Sequence, residues 1–292
     1  YIYIAFDGVA PVAKLEQQRE RRYKSLYQAQ ISKSIFKDAK PDPFNTTAIT
    51  PGTKFMNELN KEIRAYYTEP KKYNVKNIIL SLSDKVGEGE HKLFDYIRKN
   101  PEKHFNETTV IYCLDADLIM LSINHLPICP NIYLFRETPH FIQSIDTSLE
   151  PESNYYLDIP ELSEKIIKHM NNDRELTSEQ QKNKVYDYIF LCFFLGNDFL
   201  PHFPAVNIRT RGIYSLLDAY KETVGRELHA FIIEDGEINW RNFKKVVLWL
   251  AKHEDGWIRT EYFKRGDIRF STSYTNDAEK EAVFNNAPLI YR

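Results

Sequence analysis

The chain reads as an α/β fold, a twisted and largely parallel central sheet flanked by helices on both faces. Short β-branched and aromatic runs alternate along it with longer segments of helical period. Three of the strand-like runs pass directly into acidic residues, at the place where the strand ends of an open parallel sheet form a binding crevice. The 292 residues, 42% of them hydrophobic and 14% aromatic, suffice for a substantial core in one large domain or in one domain with an appendage.

Strands are expected over residues 1–6, 77–82, 110–114 and 131–135, and helices over 13–30, 53–67, 91–100, 159–170, 184–195 and 240–252. The polar stretch 171–183 is a surface loop or a helix start. Dense motifs stop near residues 225–237, which divides the chain into a core over 1–224 carrying the acidic residues and a mostly helical extension over 225–292. Pro51, Gly52, Thr53 and Lys54 look like the tail of a phosphate-binding loop, but the upstream glycine is absent, so Thr53 is expected to cap a helix. Trp240, Trp249 and Trp257 fall in helical patterns and are expected to pack.

The longest apolar stretch, residues 189–195, has seven residues against the roughly 20 needed to span a bilayer, so no membrane partner is expected. Tyr1 opens directly on a strand, without initiator Met or leader, and a native N-terminus further upstream is expected. Cys113, Cys129 and Cys192 are odd in number and lack CxxC spacing, which points to a reducing compartment: the cytoplasm, with the nucleus as the alternative. A net charge of −2 decides nothing about nucleic acid; the placement of the 39 Lys and Arg does.

The acidic residues at element ends are Asp7, the loop from Asp84 through Glu88 to Glu90, the pair Asp115 and Asp117, and Asp198 in a Gly-Asn-Asp turn. Two unit charges about 4 Å apart repel by roughly 4 kcal/mol at an effective dielectric near 20, so such a cluster needs a positive partner. Oxygen ligands without His or Cys select magnesium or manganese over zinc. A pair of such ions about 4 Å apart serves phosphodiester hydrolysis. Each motif taken alone also reads as a helix cap: Asp117 or Asp198 can accept from free N–H groups, and Glu88 and Glu90 suit a helix start. Four such sites in one chain favour metal. His91, beside Glu90, reads equally as surface packing or a phosphate contact.

Lys14, Gln18, Arg21 and Arg22 fall at i, i+4, i+7 and i+8 of the first expected helix and share an arc about 100° wide. A solvated helix balanced by Glu16 and Glu20 is the plain alternative. Nearness to Asp7 favours a grip on a terminal phosphate, for which the guanidinium forks are suited.

These motifs resemble the Xrn family of 5′→3′ exoribonucleases: Asp7 to Lys14 with the run to Arg22, Ile49 to Thr53, Gly87 to Lys92, Asp115 with Asp117, and Gly196 to Pro201. They keep the family's order over about two thirds of the chain. The resemblance implies a nuclease core of the PIN and flap-endonuclease kind. Metal ligands would be Asp7, Glu88, Glu90, Asp115, Asp117 and Asp198, holding two magnesium or manganese ions. Lys14, Gln18, Arg21 and Arg22 would hold a 5′-monophosphate, and single-stranded RNA bearing that end would be the substrate. A flap-endonuclease-like DNA nuclease and a non-catalytic RNA-binding scaffold are the rival readings. Family members also carry an upstream strand with another Asp and a His, and a later region with a base-stacking Trp; neither is matched here.

Overall fold

A computed structural model of the chain describes residues 1–35, 44, 46–112, 117–137, 146–151, 153–208 and 211–270. Two compact units hold Tyr1–Leu93 together with the described residues 263–270, and Phe94–Tyr262.

In the first unit β1 (Ile2–Ala5) lies parallel to β2 (Ile78–Ser81), Ile2 opposite Ile78 and Ala5 opposite Ser81. Between them run α1 (Val12–Ile35) and α2 (Lys54–Tyr66). Thr53 caps α2 as expected, its side chain accepting from Met56 N at 3.3 Å. Buried Asn60 of α2 donates to Ser83 Oγ at 2.8 Å and accepts from Ser83 N at 3.4 Å, which ties the helix to the segment leaving β2. Arg64 reaches Asp84 at 2.6 Å, so this acidic residue serves the α2 surface. α3 (Gly89–Lys99) begins within the acidic motif and passes into the second unit, where Phe94 and Ile97 are buried.

The second unit adds α4 (Pro101–Asn106), β3 (Thr109–Tyr112), α5 (Asp117–His125), β4 (Ile132–Glu137) and β5 (Asn154–Asp158). α6 (Ile159–Met170), α7 (Ser178–Cys192) and α8 (Gly212–Glu222) follow. β6 (Ile233–Glu234), β7 (Glu237–Ile238) and α9 (Trp240–Phe270) close the described chain. β3 is parallel to β4, and β5 is antiparallel to β4. Asp235 and Gly236 both have positive φ (51° and 83°), the twist a two-residue hairpin loop requires between β6 and β7.

The α/β class holds, and every expected strand forms over its described residues; residues 113 and 114 of the third lie outside them. Among the described residues the strands join as β1–β2, β3–β4–β5 and β6–β7. β5 carries polar residues at both ends and gave no apolar run. α5 is too short and too evenly apolar to display a helical period. α9 runs past residue 252 to Phe270. Trp240 is 67% exposed rather than packed, whereas Trp249 and Trp257 lie half-buried against His253, ring centroids 4.5 and 5.3 Å away. No helix of the described residues is long and apolar enough to cross a membrane.

The second unit closes around a buried polar knot. Lys184 on α7 donates to Tyr220 OH and to Ala230 O, both at 2.9 Å. Tyr220 OH donates to Asp187, whose carboxylate also accepts from Ile232 N and from Ile233 N at 2.7 Å. Lys184, Asp187 and Tyr220 are fully buried. Burial pushes the Asp187 carboxyl up to about 6 and the Lys184 ammonium down to about 8, each opposed by the other's charge. The knot staples the loop before β6 to α7 and α8. Removing one partner strands a buried charge, which typically costs about 3–5 kcal/mol. Asp187→Ala is expected to lose that much in urea unfolding of the intact protein, and a loss under about 1 kcal/mol would show that the knot is not charged.

Candidate functional site

The acidic cluster of the first unit is built where β1 and β2 release their chains. Beyond β1 the backbone runs beside residues 85–89: Gly8 N donates to Gly87 O at 2.8 Å and Gly87 N to Val9 O at 3.0 Å. The approach is so close that a Cβ on Gly8 would lie 1.7 Å from Lys85 O. One on Gly89 would lie 3.2 Å from Asp7 Oδ1. Glycine at these positions is what lets the two segments touch.

Asp7 Oδ1 accepts from Gly89 N at 2.6 Å, so the first N–H of α3 holds the carboxylate. Glu88, buried to 7% exposure, lies at the start of α3 with Glu90 in its first turn. Ligand atoms of Glu88, Glu90 and His91 all lie within 4.8 Å of one another. His91 Nε2 stands 3.7 Å from Glu88 and 3.9 Å from Glu90, its side chain 60% exposed. The donor set is mainly carboxylate oxygen gathered in a small volume, and it fits a hard divalent cation. On the protein's own side, Lys14 Nζ lies 2.7 Å from Glu88 Oε1.

Lys92 enters from one turn further along α3. Its ammonium donates to three backbone carbonyls: Phe6 at 2.8 Å, Leu82 at 3.0 Å and Lys85 at 2.7 Å. Burial lowers its pKa, with Asp7 and Asp84 pulling the other way.

Beside this cluster α1 walls a cleft of about 690 Å³. Leu15, Gln18, Arg19, Arg22, Tyr23 and Leu26 face it at helical spacing, and Thr47, Thr50 and Pro51 form another part of its wall. Gln18 and Arg22 are therefore together, as the spacing predicts. Lys14 turns to Glu88, and Arg21 is exposed on the helix and is not among the lining residues. Arg19 and Tyr23 escaped the sequence reading, although each follows a lining residue by one position on a face that Leu15 and Leu26 already define.

Asp117 and Asp198 lie in the second unit, and Asp115 falls outside the described residues. Asp117 is exposed in the first turn of α5. The turn that carries Asp198 is capped by its neighbour: Asn197 Oδ1 accepts from Phe199 N and Leu200 N, both at 2.8 Å. Gly196 takes φ +84° there, where a Cβ would lie 2.8 Å from His202 N. Asp198 itself is half-buried.

Residues 1–138 match the family described as XRN 5′-3′ exonuclease N-terminus, and residues 179–289 match the Xrn1 helical domain. The 5′-3′ exoribonuclease 1 of Saccharomyces cerevisiae is 36% identical over 85% of this chain and 17% of its own length. The 5′-3′ exoribonuclease 2 homolog of Caenorhabditis briggsae is 34% identical over 90% of this chain and 32% of its own. The 5′-3′ exoribonuclease 2 of S. cerevisiae is 31% identical over 97% of the chain and 31% of its own. The chain thus spans a third or less of these relatives.

The crossing at Gly8 leaves no room for a methyl group. Overpacking of this kind typically costs about 1–3 kcal/mol. Gly8→Ala is expected to lose that much in thermal unfolding of the intact protein, while Val9→Ala, at a 54% exposed position, stays within about 0.5 kcal/mol of wild type. Equal behaviour of the two variants would mean that the segments are free to part.

Proposed function

Because the chain belongs to the Xrn family of 5′→3′ exonucleases, we propose that it is the catalytic core of a 5′→3′ exoribonuclease that hydrolyses 5′-monophosphorylated RNA to nucleoside monophosphates. The observation that carries the reading is the adjoining of two unlike features on one short stretch of chain. Gln18 and Arg22 line the cleft, and Lys14, one turn earlier on α1, reaches Glu88 of the acidic cluster at 2.7 Å. An enzyme that removes terminal nucleotides needs the end-recognising groups next to the reacting bond.

In this reading Asp7, Glu88 and Glu90 hold divalent metal, joined by Asp115, Asp117 and Asp198. Two magnesium or manganese ions would supply charge stabilisation and activation of the attacking water. The chain's own residues do the rest. Gln18, Arg21 and Arg22 grip the 5′-phosphate, with Lys14 shared between phosphate and Glu88. Gly89 N fixes the rotamer of Asp7, so that this ligand does not have to be ordered when metal arrives. The scaffold in this reading is PIN-like, a twisted and largely parallel central sheet, with residues 1–224 as the nuclease core and 225–292 as its helical extension.

The test is decay of matched RNAs carrying 5′-monophosphate, 5′-triphosphate or 5′-hydroxyl ends by the intact protein with magnesium. Processive loss of the monophosphate substrate alone is expected, and equal decay of all three, or preferred cutting of DNA flaps, would overturn the reading. Asp117→Ala is expected to abolish hydrolysis with RNA binding retained. Arg22→Ala is expected to lower the preference for monophosphate over hydroxyl ends about tenfold or more, since hydrogen bonds to charged groups contribute roughly 1.5–3 kcal/mol.

A further inference from the structure

The geometry points to Lys92 as a positioning residue for the carboxylate cluster: its ammonium is the fixed cation on which the two strand exits and the 82–85 loop are assembled. The inference rests on the metal-binding reading of Asp7, Glu88 and Glu90 and gives it a supporting residue that touches neither metal nor RNA.

An ammonium has three N–H donors, and all three are spent on backbone carbonyls, those of Phe6, Leu82 and Lys85 at 2.8, 3.0 and 2.7 Å. The three acceptors are not equivalent parts of one turn. Phe6 O belongs to the peptide unit that leads into Asp7. Leu82 O lies just beyond the end of β2, and Lys85 O is the atom against which Gly8 packs. Three carbonyl dipoles aimed at one point repel each other unless a positive charge sits between them. Lys92 supplies that charge as an internal counterpart of a bound cation.

The consequence for the cluster follows from connectivity. Fixing Phe6 O sets the plane from which Asp7 departs. Fixing Lys85 O sets the loop that delivers Glu88 three residues later. Gly89 N then closes the circuit onto Asp7 at 2.6 Å. Lys92 itself stands on the helix that Glu88 and Glu90 begin, so one residue references the ligands from β1, the loop and α3 to a common point. Groups that orient metal ligands from behind typically change metal affinity roughly 10- to 100-fold when removed.

The chemistry also says why lysine stands there. A guanidinium is planar and directs its donors as a fork, so Lys92→Arg keeps the charge but cannot converge three N–H bonds from one nitrogen. Lys92→Met keeps the length and removes charge and donors together. A purely structural lysine would lower the melting temperature and leave metal affinity alone well below it; a distant charge effect would be restored by arginine.

The experiment is a Mn²⁺ titration of the intact, RNA-free protein followed by electron paramagnetic resonance, at a temperature where near-ultraviolet circular dichroism shows each variant folded. Glu88→Gln serves as the reference ligand variant. Lys92→Met and Lys92→Arg are both expected to raise the Mn²⁺ dissociation constant about tenfold or more. Binding of 5′-monophosphorylated RNA in chelator is expected to stay within about threefold of wild type. Should Lys92→Met not fold, Lys92→Arg decides alone. Mn²⁺ affinity within about threefold of wild type in the folded Lys92 variants, with Glu88→Gln weakened, would overturn the role of Lys92 and leave the metal site standing. A wild type whose Mn²⁺ binding ignores Glu88→Gln would overturn both.

Discussion

How closely two stretches of backbone can pass governs everything at the acidic cluster. Gly8 lies against the carbonyl of Lys85, and paired hydrogen bonds join Gly8 and Val9 to Gly87. Without that contact, Asp7 would be a carboxylate at the end of a strand and Glu88 one at the start of a helix. With it they become neighbours held by peptide groups. Surface pairs elsewhere, such as Lys99 with Asp95 or Lys165 with Glu161, are exposed side chains that contribute little to order. The cluster is ordered by main chain instead, and main chain cannot change rotamer.

Charge is arranged around this frame in two different ways. Lys14 meets Glu88 directly, side chain to side chain, from a helix that also faces the cleft. Lys92 meets no carboxylate in its three hydrogen bonds; it meets the carbonyls on which the carboxylates are mounted. The first cation sits at the end of a long, flexible side chain and, in the proposed reading, can turn toward a phosphate. The second is committed on every donor. In the proposed reading, a site that binds a highly charged substrate and releases product benefits from having both kinds.

The sequence was legible where one signal sufficed. Strands with β-branched runs, the Thr53 cap and the helix Ile159–Met170 are local matters, settled by residues within a turn of each other. The acidic and basic motifs were legible in part, since Asp7 does accept from Gly89 N between the neighbouring Glu88 and Glu90, and Gln18 and Arg22 do share a cleft. What stayed hidden depends on partners distant in sequence. β5 forms because β4 offers it an edge, not because Asn154–Asp158 is a strong strand. Arg19 and Tyr23 gain meaning only from Thr47, Thr50 and Pro51 opposite. Lys92 was visible as a letter of a motif, and its three acceptors, being carbonyls, carry no letter at all.

Lys85 draws out what that last point means. Its side chain is exposed, yet its carbonyl accepts from Lys92 and borders Gly8. The position contributes to the site through a group every residue possesses. Its identity can therefore drift freely while its geometry cannot. A comparison of side chains would score it as dispensable, and a one-residue insertion beside it would dismantle the cluster without altering a single ligand.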